Sequence, residues 1–271
     1  MEKRKFNPMY MVMNQVQKGK VPANSKAWAK PLSSRAERPL ASWAASEGLL
    51  PEDFDQWEIN DPVRDQCVAE VAAGAGTLPW DFKRWDIPGV AHEAARFDNL
   101  PYSFNQWDIV IGDGWTVAHE AAKYGYLESD FDMWDMVDGL GVSVAHEAAD
   151  AGSLPSSFNR WDMADEDGVT VAHIAASHGS LPPHFSQWSL SDSDGWTVAH
   201  EAAKEGYCRD EIPEEFWSLK SNDGVTVDDM FREYDEWIKE CAAEYRARGE
   251  MNKNPWTDCM KRIAARDDQN S

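Results

Sequence analysis

The chain has 271 residues, 42 % of them hydrophobic and 27 % charged, a composition that suits a folded protein and excludes a disordered one. It carries a formal net charge of −22, and no run of about 18 apolar residues occurs, so the sequence offers no membrane span. The four cysteines are far apart and form no CxxC pair, which argues against a disulfide framework or zinc site and for a reducing, cytoplasmic setting.

The first 39 residues hold nine Lys and Arg against two Asp and Glu, whereas the remainder holds 17 against 46. The opening MEKRKFNPMYMVMNQ lacks the sustained apolar core of a secretory signal. Asn7-Pro8 predicts a short helix over MYMVMNQV, followed by a connector rich in Pro, Ser and Lys. So acidic a body repels nucleic acid and membrane surfaces and attracts basic partners. The segment 1–39 is therefore read as a basic N-terminal arm.

From residue 40 to 226 the sequence repeats. His92, His119, His146, His173 and His200 are 27 residues apart, each within Val-Ala-His-x-Ala-Ala. Fifteen residues after the first four stand Trp107, Trp134, Trp161 and Trp188, each preceded by Phe at i−3. Upstream, 40–59 and 67–87 are degraded units with Ser42 and Glu70 where the histidine belongs. After His200 the pattern continues with an insertion, Phe216 in the Phe position and Leu219 in the Trp position. That makes seven units, with atypical ends as a solenoid requires.

Each unit predicts two short antiparallel helices. A Thr or Ser N-cap opens the first, a glycine closes it, and Leu-Pro opens a second whose Phe and Trp share one face. Beyond the repeats, Val227, Met230, Phe231, Tyr234, Trp237, Ile238, Cys241, Ala242 and Tyr245 keep the 3.6-residue period of a long capping helix within 227–271. Met260, Ile263 and Ala264 suggest one more short helix.

The unit G-x-T-V-A-H-x-A-A-x-x-G resembles the ankyrin repeat signature over residues 40–231, with Val-Ala in place of Pro-Leu and a period of 27 rather than about 33. The resemblance implies an all-α, ankyrin-like helical-repeat solenoid. It also implies that each histidine bonds the Thr of its own unit and the backbone of a neighbouring loop.

No catalytic motif is present, so no enzyme, cofactor or metal is expected; stacking would hold the histidines about 10 Å apart, too wide for a shared metal. The acidic stretch 192–201 offers Asp192, Asp194 and Glu201 in calcium-loop spacing, but Leu190 stands at its first position. The expected activity is recognition of another protein through the loops and first-helix faces. Candidate contact residues are Glu93, Glu120, Glu147 and Glu201 after the histidines, Trp115 and Trp196 at the loop tips, and Asp165, Asp167, Asp192 and Asp194 in the connections. The alternative is an acidic inhibitor that mimics nucleic acid and blocks a basic DNA- or RNA-binding protein, as a phage-type counter-defence protein would.

Overall fold

The structure is a computed structural model, and it describes residues 8–32, 37–207, 209 and 211–247. It divides into two compact units, residues 1–155 and 156–271. Unit 1 contains helices α1 (Pro8–Gln17), α2 (Leu40–Ser46), α3 (Val68–Gly74), α4 (Val90–Arg96), α5 (Val117–Lys123) and α6 (Val144–Asp150). Unit 2 contains α7 (Val171–Ser177), α8 (Val198–Lys204) and α9 (Val227–Ala247). Both are helical repeat stacks: in unit 1 each helix from α2 to α6 packs on the next, and in unit 2 α7 packs on α8 and α8 on α9.

The helices can pack closely because their buried faces are made of Val and Ala. Val117, Ala118, Ala121 and Ala122 of α5 are buried, and so are their counterparts in α6, α7 and α8. Such a helix is only seven residues long, too short to stand alone in water. Its first amides are supplied by the chain that precedes it. Val117 donates to the Ile109 carbonyl and Ala118 to that of Trp107; Val198 and Ala199 do the same to Leu190 and Trp188. The intervening residues form a finger, closed in unit 1 by β1 (Asn60–Asp61) with β2 (Gln66–Cys67) and by β3 (Val110–Ile111) with β4 (Trp115–Thr116). The other fingers close on a single antiparallel bridge, such as Val137 with Ser143 or Ser191 with Thr197.

The second helix of the repeat does not form, except as a single 3₁₀ turn, Glu214–Phe216, in the last repeat. Leu-Pro-x-x-Phe-x-x-Trp is two successive tight turns: in the 40–59 repeat Phe54 donates to the Pro51 carbonyl and Ile59 to that of Gln56, each with i→i+3 spacing. The six residues by which the period falls short of 33 are those a helix would have needed. The Phe and Trp are spaced as expected but meet edge to face. In unit 1 the ladder runs Trp28, Phe54, Trp57, Phe82, Trp85, Phe104, Trp107 and Phe131, with centroids 5.0–5.7 Å apart. In unit 2 it runs Phe158, Trp161, Phe185, Trp188 and Tyr207. Each such pair contributes about 0.5–1.5 kcal/mol beyond its area burial.

Trp28 shows that the basic arm holds the remains of one more repeat. It is 1 % exposed. Ser25 donates to the Pro22 carbonyl, and Leu40 and Ala41 of α2 donate to those of Lys30 and Trp28, the bonding of a complete repeat. The segment that reads as a connector is thus a turn pair with Ser25 in place of Phe, and α1 precedes it with Val16 buried.

At the other end Trp217, not Leu219, holds the Trp position. Asp228 of α9 donates to its carbonyl, and Leu219 accepts from Val227 as Leu190 does from Val198. The helix α9 packs on α8, with buried Val227 and Phe231 and half-buried Met230 in one cluster with α8 residues. The side chains of Ile238, Cys241, Ala242 and Tyr245, and the helix suggested near Met260, lie outside the described residues.

Candidate functional site

The five histidines are buried and serve the scaffold. Thr116 Oγ1 lies 2.7 Å from His119 Nδ1, the Thr116 amide donates to the same nitrogen, and the His119 amide donates back to Thr116 Oγ1. His119 Nε2 is 3.1 Å from the Val142 carbonyl in the next finger. A carbonyl can only accept, so Nε2 carries the hydrogen and Nδ1 is the acceptor: a neutral imidazole held on both sides. His173 and His200 repeat the arrangement with Thr170 and Trp196, and with Thr197 and Val225. Burial lowers the pKa of His92, His119, His173 and His200.

His92 is the exception. Its finger is missing, because Pro88-Gly89 joins Ile87 directly to α4. Gly89 is the N-cap, brings no hydroxyl, and leaves His92 Nδ1 buried without a partner. In the degraded first unit the same link to the next finger is made otherwise: Ser42 Oγ donates to the fully buried Asp61, with Arg38 3.4 Å from that carboxylate. In the next unit Glu70 folds back on its own N-cap, accepting from the Cys67 amide at 2.5 Å. The Cys67 thiol, half-buried there, is pushed up to about 11 by desolvation.

The ten residues singled out from sequence are placed mostly inside this bonding. Trp115 and Trp196 are half-buried rather than exposed: each indole N–H donates to the glutamate five residues on, Trp115 to Glu120 at 2.7 Å and Trp196 to Glu201 at 2.8 Å. Each ring also lies against its unit's histidine, His119 or His200. Glu93 accepts from Gln66, and Glu201 also receives Lys204. Glu147 is half-buried, and desolvation raises its pKa against the pull of Lys123. Asp165 and Asp192 each accept two amides of their own finger, those of Asp167 and Val169 and those of Asp194 and Trp196. Only the side chains of Asp167 and Asp194 stand out in solvent. Among the described residues no group of three or more His, Cys, Asp or Glu is gathered as a metal site.

What the fingers do present differs between the units. They are zipped to one another by backbone: Gly139 donates to Asp113 O at 2.5 Å in unit 1, and in unit 2 Ser193 donates to Asp167 O and Asn222 to Asp194 O. Gly114 is needed for the first of these: its φ is +87°, and a Cβ there would meet Gly139 N at 2.7 Å. On this rigid base unit 1 exposes Val110 and Ile111 on one finger and Val137 and Leu140 on the next, with Leu140 71 % exposed. At the other end of the helices it exposes Phe97, Tyr124 and Tyr126, with the Arg96 guanidinium over the Phe97 and Tyr124 rings. The matching fingers of unit 2 expose Glu166, Asp167, Asp194 and Asp223. Sequence reasoning missed the apolar tips because it followed the invariant positions of the repeat. The signal lay in the variable ones, where IVIGDG and VDGLG stand against ADEDG and SDSDG.

No protein-family model matches the chain, and no curated protein is similar to it.

Proposed function

We propose that the protein is a non-enzymatic, ankyrin-like scaffold that recognises a partner protein through the fingers of unit 1. The reading rests on Val110, Ile111, Val137 and Leu140: four exposed aliphatic side chains on two adjacent fingers whose backbones are bonded to each other. Contiguous exposed apolar surface on a rigid frame is costly to keep in water and is the usual mark of a protein contact. The ankyrin resemblance adds the expectation of recognition by finger loops. The glutamate ladder is dropped from the contact set, since Glu120 and Glu201 hold the indoles of their own fingers. Among the described residues no helix is long and apolar enough to cross a membrane.

The test is capture from a lysate, with bound proteins identified by mass spectrometry. The double variant Val137→Asp and Leu140→Asp is expected to weaken capture of the partner at least tenfold while leaving the circular dichroism spectrum unchanged. Unaltered capture would sink the proposal.

The second reading, an acidic mimic that occupies the groove of a nucleic-acid-binding protein, is favoured by Glu166, Asp167 and Asp194, which project from neighbouring fingers of unit 2. It requires capture that falls steeply with salt and responds to Asp167→Asn and Asp194→Asn.

A further inference from the structure

Unit 1 has a cleft at the end of its repeats away from the fingers, between the first two Leu-Pro turns. Its volume is about 520 Å³. Leu50, Trp57 and Trp80 line it, together with the carboxylates of Glu52, Asp53 and Asp81. Trp80 is 91 % exposed, the most exposed large apolar side chain of the described residues. It stands directly after Pro79, where the other six repeats have Glu52, Tyr102, Ser129, Ser156, Pro183 and Glu214.

The two walls are fixed relative to each other. Thr77 Oγ1 donates across the repeats to the Ala45 carbonyl at 2.5 Å, and its methyl carbon lies 3.5 Å from where a Gly48 Cβ would be. Gly48 has a φ of +66°, which lets the chain leave α2 and turn directly into Leu50-Pro51. Trp57 is buried in the aromatic ladder, edge to face with Phe54 and Phe82. One indole is therefore immobilised and the other stands free, with three carboxylates around them.

Those carboxylates are uncommitted. Glu52, Asp53 and Asp81 are exposed and, among the described residues, none has a hydrogen bond or ion pair. No Lys or Arg is among the residues that line the cleft; Lys20 lines an adjoining depression that shares Asp53. An indole face attracts a cation through its quadrupole, and carboxylates beside it add charge and hydrogen-bond acceptors. A guanidinium uses both at once, since it is planar, stacks on aromatic rings and bonds carboxylates in pairs.

We propose that this cleft is a binding site for the basic side chain of a peptide segment, with arginine its preferred occupant. The inference rests on the protein-binding reading above for its biological setting, but not for its chemistry. In that setting the partner would present Arg to Trp80 and apolar residues to the fingers.

The test uses the full chain labelled with ¹⁵N at its tryptophan indoles and titrated with acetyl-Gly-Arg-Gly-Arg-Gly-amide. The Trp80 resonance is assigned by its loss in Trp80→Ala. It is expected to shift in a saturable way, while the neutral Gln counterpart of the peptide leaves it still. Trp80→Ala should weaken the peptide about three- to fivefold, followed on the Trp57 indole, and Trp80→Phe should restore part of that. The triple change of Glu52→Gln, Asp53→Asn and Asp81→Asn should weaken it by a similar factor. Tyr102→Ala removes an aromatic side chain that is 88 % exposed but does not line the cleft, and should change nothing.

A shift of equal size with the Gln peptide, or affinity untouched by both Trp80→Ala and the triple change, overturns the site. Because Trp80 is so exposed, none of these variants should unfold the protein. Capture of a partner that depends on Leu140 but with no peptide shift would overturn the cleft and leave the scaffold standing. A peptide shift without a captured partner would support the cleft and count against the scaffold.

Discussion

Units 1 and 2 are made of the same repeat and end in different surfaces. Both bury Val-Ala helices, both run an edge-to-face aromatic ladder, and both fix a neutral histidine between a Thr and the next finger. Yet every large apolar side chain that stands well exposed among the described residues belongs to unit 1, and the fingers of unit 2 end in carboxylates. The repeat thus separates two demands. Positions that face the neighbouring repeat are held constant by packing, and those that face water are free to vary without touching stability.

The largest expected effect falls on the shared part. Trp57→Ala in unit 1 and Trp188→Ala in unit 2, both buried in their ladders, should each cost about 3–5 kcal/mol in urea unfolding. A much smaller loss for one of them would mean that the two ladders are not equivalent. Next comes the histidine link. His119→Ala and His200→Ala should each cost about 2–3 kcal/mol, whereas His92→Ala should cost about 1 kcal/mol less, since its Nδ1 is already unpaired.

The same groups set a pH dependence. Folded His119, His173 and His200 have pKa values below the ordinary 6.5, so below about pH 6.5 the unfolded chain binds protons that the folded one refuses. Stability should therefore be full above that pH and fall as the solution is acidified. Thermal melts at a series of pH values check this, and a flat profile from pH 7 to 5 would contradict the bonding described. The smallest effect belongs to the variable positions: Leu140→Asp and Asp194→Asn should each change stability by less than about 0.5 kcal/mol, although they alter opposite kinds of surface.

Much of this was legible in the sequence. The 27-residue period located α4 to α8 and the Thr–His pairs, because helix, cap and glycine are local signals that recur. The 3.6-residue pattern after Val227 located α9. The turn pair was not legible, since Pro-x-x-Phe-x-x-Trp suits the first turns of a helix as well as two tight turns, and only the chain length distinguishes them. The repeat at Trp28 was hidden by Ser25 standing for Phe, although Pro22 and Trp28 keep the spacing of Pro51 and Trp57. The role of Glu120 and Glu201 was hidden because an indole reaching five residues forward leaves no periodic trace. It shows only as the pairing of Trp115 with Glu120 and Trp196 with Glu201. The tips and the Trp80 cleft lie at positions where the repeat prescribes nothing, and there a sequence pattern has no means of telling an exposed side chain from a buried one.

The missing finger before α4 carries a lesson about construction. Pro88-Gly89 shortens the repeat, yet Trp85 and Phe104 still meet at 5.2 Å and α4 still packs between α3 and α5. The deletion leaves one imidazole nitrogen unsatisfied and the framework otherwise intact. A finger is therefore an interchangeable part, mounted on a chassis that does not depend on it. Foreign loops inserted between Pro88 and Gly89 would occupy a natural cloning site, and variation in finger length or composition offers a route to new specificities that leaves the fold alone.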